Sequence, residues 1–335
     1  MNKIDKVPLY FDTAATTQIA PEVLSAMVAQ LGNNESFANP SSAVHLPGQI
    51  ASSLIEGARE QVAAELRCES DEVVFTSGAT EANNLALRGI ALANADQGRH
   101  LITSKIEHKA VLSCCESLER EGFEITYVSP NKQGWIEPSD IESAIRPDTL
   151  LVSLMHTNNE TGVMQPVDEV ATMAYERGVL FHVDAAQAAG KFSINLNESP
   201  VDLLSLSAHK FHGPKGIGCL VIRDRRRLRI RPLVYGGGQE FGLRSGTVPT
   251  HQVIGLAAAL KLAAESRESA LAQVKGLKAH FLSRITSVLP VTVHGDVRSA
   301  SPYIVNLSIA GIGSACGEEF ISVVATRKSA ASPGR

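Results

Sequence analysis

Long apolar runs are missing from this 335-residue chain, and so is a strong charge of either sign. A membrane helix needs about 20 continuous apolar residues, and no stretch approaches that length. The net charge of −4 gives no electrostatic reason to expect nucleic acid or an anionic membrane as a partner. The first residues, MNKIDKVPLYFD, have no apolar signal core, which favours a cytoplasmic location.

Cysteine is also scarce. The five cysteines form no CxxC pair and no metal-ligand spacing, so the sequence predicts free thiols in a reducing compartment and no metal site. The adjacent Cys114 and Cys115 are typical of helix packing, because a free cysteine behaves as a small buried hydrophobe. One basic run, residues 223–231, is either a solvated edge or a docking patch for an acidic partner.

What the sequence does contain is a regular alternation of short Val/Ile/Leu runs with stretches of helical periodicity. This alternation predicts βαβ crossovers and a mainly parallel sheet covered by helices on both faces. Residues 251–289 then form one long helical region, with Gly276 as the place where it could break. The predicted strands are 73–76, 101–103, 125–128, 150–155, 180–183, 203–206, 216–222, 291–294 and 304–309, and the other predicted helices are 81–93, 109–121, 167–177 and 318–324.

Polar residues gather directly after the predicted strands. They are residues 77–80, His108, residues 158–160, Asp184 with Gln187, and residues 207–210. In an open α/β sheet, ligands bind outside the carboxyl ends of the strands. The sequence therefore predicts one binding site along this edge.

Each of these groups has two possible interpretations, one structural and one functional. The strand–glycine–helix turn at 77–80 is either only a turn or a phosphate site. Asp184 either caps a helix or keeps a ring nitrogen of a cofactor protonated. His108 either begins a helix or stacks on a flat ring and moves protons. Lys210 is either a solvated charge or a desolvated amine that forms a Schiff base.

Seven ordered segments together resemble the cysteine desulfurases, which are class-V, fold-type I enzymes that use pyridoxal 5'-phosphate (PLP). The segments are FDTAATT (11–17), FTSGATEANNLAL (75–87), TSKIEHKAVL (103–112), MHTNNETGVMQP (155–166), HVDAAQAAGK (182–191), SLSAHKFHGPKGIG (205–218) and YGGGQEFGLRSGT (235–247). The NNETG and RSGT forms resemble the iron–sulfur-assembly and nitrogen-fixation branch.

The resemblance implies an α/β fold with a mainly parallel seven-stranded sheet, helices on both faces and a small α/β domain. The implied division is an N-terminal segment (1–15) associated with the small domain, a large PLP-binding domain (16–250), and a connecting helix with the small domain (251–335). The family continues beyond the point where this sequence stops, with a substrate-carboxylate arginine among the later residues. The small domain is therefore expected to be incomplete, because the sequence is expected to be truncated at its C-terminus.

Residue by residue, the resemblance implies that Lys210 carries PLP, Asp184 pairs with the pyridine nitrogen, and Gln187 hydrogen-bonds the ring hydroxyl. His108 would stack on the ring and Asn159 would lie over substrate and cofactor. The implied phosphate ligands are Ala79, Thr80, Ser207 and His209, with Thr247 contributed by the second subunit of a homodimer.

The implied reaction converts L-cysteine to L-alanine and passes the sulfur to an enzyme cysteine, for delivery to a sulfur-acceptor or iron–sulfur scaffold protein. A link to nucleic acid would be indirect, through tRNA thiolation. Cys316, in the sequence GSAC, is the candidate sulfur acceptor, although it precedes the predicted helix 318–324 where the family's catalytic loop follows that helix. Two alternatives stay open: a PLP-binding pseudoenzyme, lyase or aminotransferase without persulfide chemistry, and a truncated product with no independent role.

Overall fold

A computed structural model describes residues 9–32, 35–295, 300–311 and 329–330. The strands are β1 (Leu9–Tyr10), β2 (Val73–Thr76), β3 (His100–Ser104), β4 (Glu124–Val128), β5 (Thr149–Met155), β6 (Leu180–Asp184), β7 (Leu203–Ser207), β8 (Gly218–Ile222), β9 (Val291–His294), β10 (Asn306–Ile309) and β11 (Ser329–Ala330). The α-helices are α1 (Pro21–Val28), α2 (Leu46–Leu66), α3 (Ala79–Ala93), α4 (Lys109–Arg120), α5 (Pro138–Ala144), α6 (Val167–Glu176) and α7 (Thr250–Val288).

Seven of these strands form one sheet in the order β2-β8-β7-β6-β5-β3-β4. Strands β4, β3, β5, β6 and β7 pair in parallel, whereas β8 pairs antiparallel with both β7 and β2. The carboxyl ends of β2, β3, β5, β6 and β7 therefore lie along one edge. The predicted mainly parallel seven-stranded sheet is confirmed.

Helices cover the sheet on both faces, as predicted. On one face α1, α2, α5, α6 and α7 pack against strand residues such as Phe75 and Phe181. On the other face α3 and α4 pack against residues such as Leu101 and Leu203. Because both faces are covered, the central strands are buried along their length, which explains their continuous apolar sequence.

Helix α7 runs without a break through Gly276, contrary to the predicted weak point. Gly276 is exposed, and a glycine in a helix interior is less favourable than alanine by only about 1 kcal/mol. The strong helix formers around it outweigh that penalty. No helix within the described ranges is long and apolar enough to cross a membrane.

Beyond α7, strands β9 and β10 pair antiparallel, and β1 pairs in parallel with β11. The segment 300–306 lies on the loop after β5: the Ser301 N–H donates to the Gly162 carbonyl at 2.8 Å, and Asn306 Nδ2 donates to the Glu160 carbonyl at 3.3 Å. The predicted helix 318–324 lies outside the described residues, and the domain limits at residues 15 and 250 stay predictions.

Candidate active site

The start of α3 forms the first wall of the site. Gly78 ends the turn after β2 with φ +149°, and a Cβ at that position would lie 3.4 Å from Ser207 Oγ at the end of β7. Ala79 is half-buried and Thr80 exposed, so the first turn of α3 is open to a ligand. The first N–H groups of a helix have no partner within it and carry the positive end of its dipole. The structure thus brings Ala79, Thr80 and Ser207 together around a turn whose N–H groups are suited to an anion.

The Asp184 carboxylate lies one strand away from Ser207, at the end of β6, and is 5% exposed. Oδ2 accepts a hydrogen bond from Asn83 Nδ2 at 2.7 Å and Oδ1 accepts one from the Ala186 N–H at 2.9 Å. Burial raises the pKa of Asp184, while those hydrogen bonds and the charges of His108 and Lys210 act in the opposite direction. A carboxylate with about four acceptor sites and two bonds retains capacity for another donor, such as a ring N–H.

Lys210 follows β7 in a short 3-10 turn, and its amine points at the loop before α1. Nζ donates to the Ala14 carbonyl at 2.7 Å and the Ala15 carbonyl at 2.9 Å. Burial lowers the pKa of Lys210, and the charges of Asp184 and Asp12 partly offset that effect. A lowered pKa favours the neutral amine that Schiff-base formation requires.

Gln187 and His209 contact the same N-terminal loop. Gln187 Nε2 donates to the Ala14 carbonyl at 2.8 Å, the carbonyl that also accepts from Lys210. His209 Nδ1 lies 3.1 Å from Thr16 Oγ1, and burial together with nearby lysine charge lowers its pKa to about 4. The histidine is therefore neutral at physiological pH, and the loop is held against the sheet edge.

His108 is the N-cap of α4, where its Nδ1 accepts a hydrogen bond from the Ala110 N–H at 3.1 Å. A neutral imidazole that accepts at Nδ1 carries its proton on Nε2. The ring is exposed, which leaves its face free for a stacked partner. His108 is thus both a helix-start residue and a group available to a cofactor.

Asn159 lies in the loop after β5, where its Nδ2 donates to Glu160 Oε1 at 2.9 Å. The loop is shaped by the neighbouring Asn158, whose Oδ1 accepts from the N–H groups of Glu160 and Thr161 at 3.0 and 2.8 Å. Asn159 is half-buried at the same sheet edge as Asp184.

Thr247 is exposed in the segment before α7 and is not joined to the other predicted ligands by any described contact. Its segment is linked instead to the turn at residues 77–80. Arg244 Nε donates to Glu81 Oε1 at 3.0 Å, and the Ser77 N–H donates to Glu81 Oε2 at 2.7 Å. A role in the site of a second copy stays a prediction. Cys316, the predicted sulfur acceptor, lies outside the described residues.

Three further residues, which the sequence analysis did not single out, contact or adjoin the predicted site residues. Asn83 holds Asp184, and its signal was a polar residue one turn into α3 on the buried face. Glu107 is 5% exposed and accepts from Ser104 Oγ at 2.6 Å and the Met155 N–H at 3.1 Å. Burial raises the pKa of Glu107 to about 8. Lys191 contacts Gln187, and no periodicity could single it out, since that contact depends on a turn after β6.

The sequence profile of the aminotransferase class-V family matches residues 9–330. The chain is also 45% identical over 303 residues to the cysteine desulfurase IscS of Salmonella newport (strain SL254), an alignment that covers 90% of this chain and 75% of the relative. This chain belongs to the cysteine desulfurases of the class-V aminotransferase family. Enzymes of this family use PLP, and the residues around Lys210 and Asp184 fit that cofactor.

Solved structures agree with the desulfurase assignment. A NifS-like protein superimposes with a TM-score of 0.90 at 37% identity, covering 95% of this chain and 86% of that one. SspA in complex with cysteine superimposes with a TM-score of 0.82 at 38% identity, covering 95% of this chain and 87% of that one.

Proposed function

We propose that this cysteine desulfurase binds PLP through Lys210 and converts L-cysteine to L-alanine, with the sulfur retained on an enzyme cysteine. The observation that carries the proposal is the placement of a desolvated amine, Lys210, and a buried carboxylate, Asp184, at the carboxyl ends of neighbouring strands. The relatives of this protein include a desulfurase and a protein captured with cysteine, which supports cysteine as the substrate.

PLP, when bound, supplies an electron sink that stabilises the negative charge left at the substrate Cα. Asp184 would hold a proton at the ring nitrogen, and Asn83 keeps the Asp184 carboxylate in place for that task. The open turn at Gly78, with Ser207 beside it, would bind the phosphate. The Lys210 amine would take up the Cα proton, because burial lowers its pKa and so favours the neutral form that can act as a base.

The exposure and the pKa of each cysteine limit which of them could accept the sulfur. A nucleophilic thiol needs an exposed, electropositive setting that lowers its pKa. Cys114, Cys115 and Cys219 are buried and Cys68 is half-buried. Burial raises the pKa of all four, to about 12 for Cys68 and Cys114. Among the five cysteines of this sequence, Cys316 is therefore the one that we propose as the acceptor, and it lies outside the described residues. The proposal extends to a cytoplasmic homodimer that passes sulfur to an acceptor or iron–sulfur scaffold protein.

The test is an absorbance spectrum of the protein with PLP, before and after L-cysteine, with alanine and sulfide assayed alongside in the presence of a thiol reductant, which supplies the two electrons that release sulfide from the enzyme persulfide. The wild type is expected to show a lysine-linked cofactor band and to release both products. Lys210→Ala should lose the band, while Cys316→Ala should keep the band and lose sulfide. Cys68→Ala is the matched control and should keep both. A Lys210→Ala spectrum identical to the wild type would overturn the cofactor assignment, and full sulfide release by Cys316→Ala would overturn the acceptor.

A further inference from the structure

A second lysine lies beside the proposed cofactor lysine. Lys191, seven residues after β6, is partly buried, and its Nζ donates to Gln187 Oε1 at 2.7 Å. The same amine lies 5.7 Å from the centre of the Tyr303 ring. Burial lowers the pKa of Lys191 to about 8, and the positive charge of Lys210 contributes to that shift. The proposed function leaves Lys191 without a role.

The hydrogen bonds of Gln187 explain why such a residue matters. An amide side chain has one oxygen that accepts and one NH2 group that donates two hydrogens. Lys191 occupies the oxygen, since an amine on a lysine side chain is a donor. One N–H of Gln187 donates to the Ala14 carbonyl at 2.8 Å. One N–H of Gln187 is left, and the amide cannot turn over without placing donor against donor at Lys191.

The Ala14 carbonyl also accepts from Lys210 at 2.7 Å, so the free N–H of Gln187 belongs to the immediate surroundings of the cofactor amine. A ring hydroxyl whose proton is shared with the nitrogen of Lys210 can only accept at its oxygen, so it would need a donor from Gln187 and would be repelled by an amide oxygen. The orientation of Gln187 therefore decides whether that contact is favourable.

We propose that Lys191 is a positioning residue, which holds the Gln187 oxygen so that the remaining Gln187 N–H faces the cofactor's ring hydroxyl. This inference rests on the proposed PLP function. A competing explanation is that Lys191 only fills space and packs on Tyr303. The two differ in one respect: a packing role does not depend on the Gln187 side chain, whereas a positioning role does.

The experiment measures the dissociation constant of PLP by absorbance titration of the full-length protein for the wild type, Lys191→Met, Gln187→Ala and the double variant. Methionine keeps most of the length of the lysine side chain and removes its donor. Lys191→Met is expected to weaken PLP binding about five- to tenfold, the loss typical of one hydrogen bond between uncharged groups, here the bond from Gln187 to the cofactor. In the Gln187→Ala background the same change should have less than about a twofold effect, because the amide through which it acts is gone.

Lys278→Met is the matched control. Lys278 also has a pKa lowered by burial, but its amine donates to the Ser301 and Ile304 carbonyls, each at 2.9 Å, away from Gln187. Its PLP affinity should stay within about twofold of the wild type. Lys191→Arg retains a donor and should bind PLP nearly as the wild type does, which provides the test if Lys191→Met fails to fold.

Equal losses from Lys191→Met in the presence and absence of Gln187 would overturn the positioning role, as would wild-type affinity in Lys191→Met or a tenfold loss in Lys191→Arg. Those results leave the lysine-linked cofactor band of the wild type intact, and so leave the proposed function standing. A wild type without that band would overturn both.

Discussion

Replacing Glu240 by alanine should destabilise the protein strongly, although Glu240 has no part in the proposed chemistry. The Glu240 carboxylate pairs with Arg59 in the core: Oε2 accepts from Nη1 and Oε1 from Nη2, both at 2.8 Å. Oε2 also accepts from the Phe75 N–H at 2.7 Å, on β2 at the edge of the sheet. The side chains of Arg59 and Glu240 are 4% and 2% exposed.

The magnitude follows from what the deletion leaves behind. Removing one member of a buried ion pair leaves a buried charge without its partner, which costs about 3–5 kcal/mol. Arg59 keeps the Val73 carbonyl at 2.7 Å and the Glu56 carboxylate at 3.2 Å, which places the expected loss near the lower figure. Glu240 and Phe241 also adopt left-handed backbone angles, with φ of 49° and 59°, at a cost of about 1–2 kcal/mol each. Without the carboxylate the segment that leads to Thr247 has little to hold that conformation.

Urea denaturation of the wild type and Glu240→Ala, followed by circular dichroism, measures the difference in free energy of unfolding. A loss of about 3 kcal/mol is expected. Glu265→Ala is the control, because the Glu265 pair with Lys261 is exposed and should contribute less than about 1 kcal/mol. The double variant Arg59→Met/Glu240→Leu should recover part of the loss, since no unpaired charge remains. A loss below about 1 kcal/mol in Glu240→Ala would refute the reasoning.

Two further predictions concern helix α7 and the buried acid next to His108. Gly276→Ala should stabilise the protein by about 1 kcal/mol in the same urea assay, because a Cβ at Gly276 meets no atom within 4 Å and the helix is continuous there; a destabilised variant would contradict the unbroken helix. The Glu107 pKa of about 8 means that the folded protein holds a proton which the unfolded chain loses near pH 4.5, so the free energy of unfolding should fall as the pH rises between those values. Glu107→Gln, which resembles the protonated acid, should show a flatter dependence over that range, and an unchanged slope would mean that Glu107 is ionised in the fold.

Much of the sheet could be predicted because its signal is local. Strands buried on both faces need continuous apolar side chains, so β2 was predicted with its observed ends and the others to within two residues. The limits of helix α7 could also be predicted, since an Ala/Leu/Lys/Glu-rich stretch is strongly helical in most contexts. Whether α7 continues through Gly276 was harder to predict, because the helix-forming residues on either side decide whether the small penalty of one glycine breaks the helix.

Some features of the candidate site could likewise be predicted from the sequence, and others could not. The positions of Asp184, Ser207 and Lys210 after apolar strands followed from the sequence, because parallel strands bring their carboxyl ends to one edge. The long-range contacts that hold Asp184 and Lys210 in place did not, since they join residues far apart in the chain. The bonds from Lys210 to the Ala14 and Ala15 carbonyls and from Asn83 to Asp184 exist only once the sheet has formed.

By itself, then, the sequence determined the seven strands of the large sheet, helices α3, α4, α6 and α7, and the edge on which the polar residues gather, because apolar periodicity is a property of neighbouring residues. Helices α1, α2 and α5 were not predicted, and the order of the strands in the sheet is a property of the tertiary structure. Only the tertiary structure decided which oxygen of Glu240 meets which nitrogen of Arg59, and which carboxyl keeps its proton. Those outcomes depend on burial and on distances of about 3 Å between segments that lie far apart along the sequence.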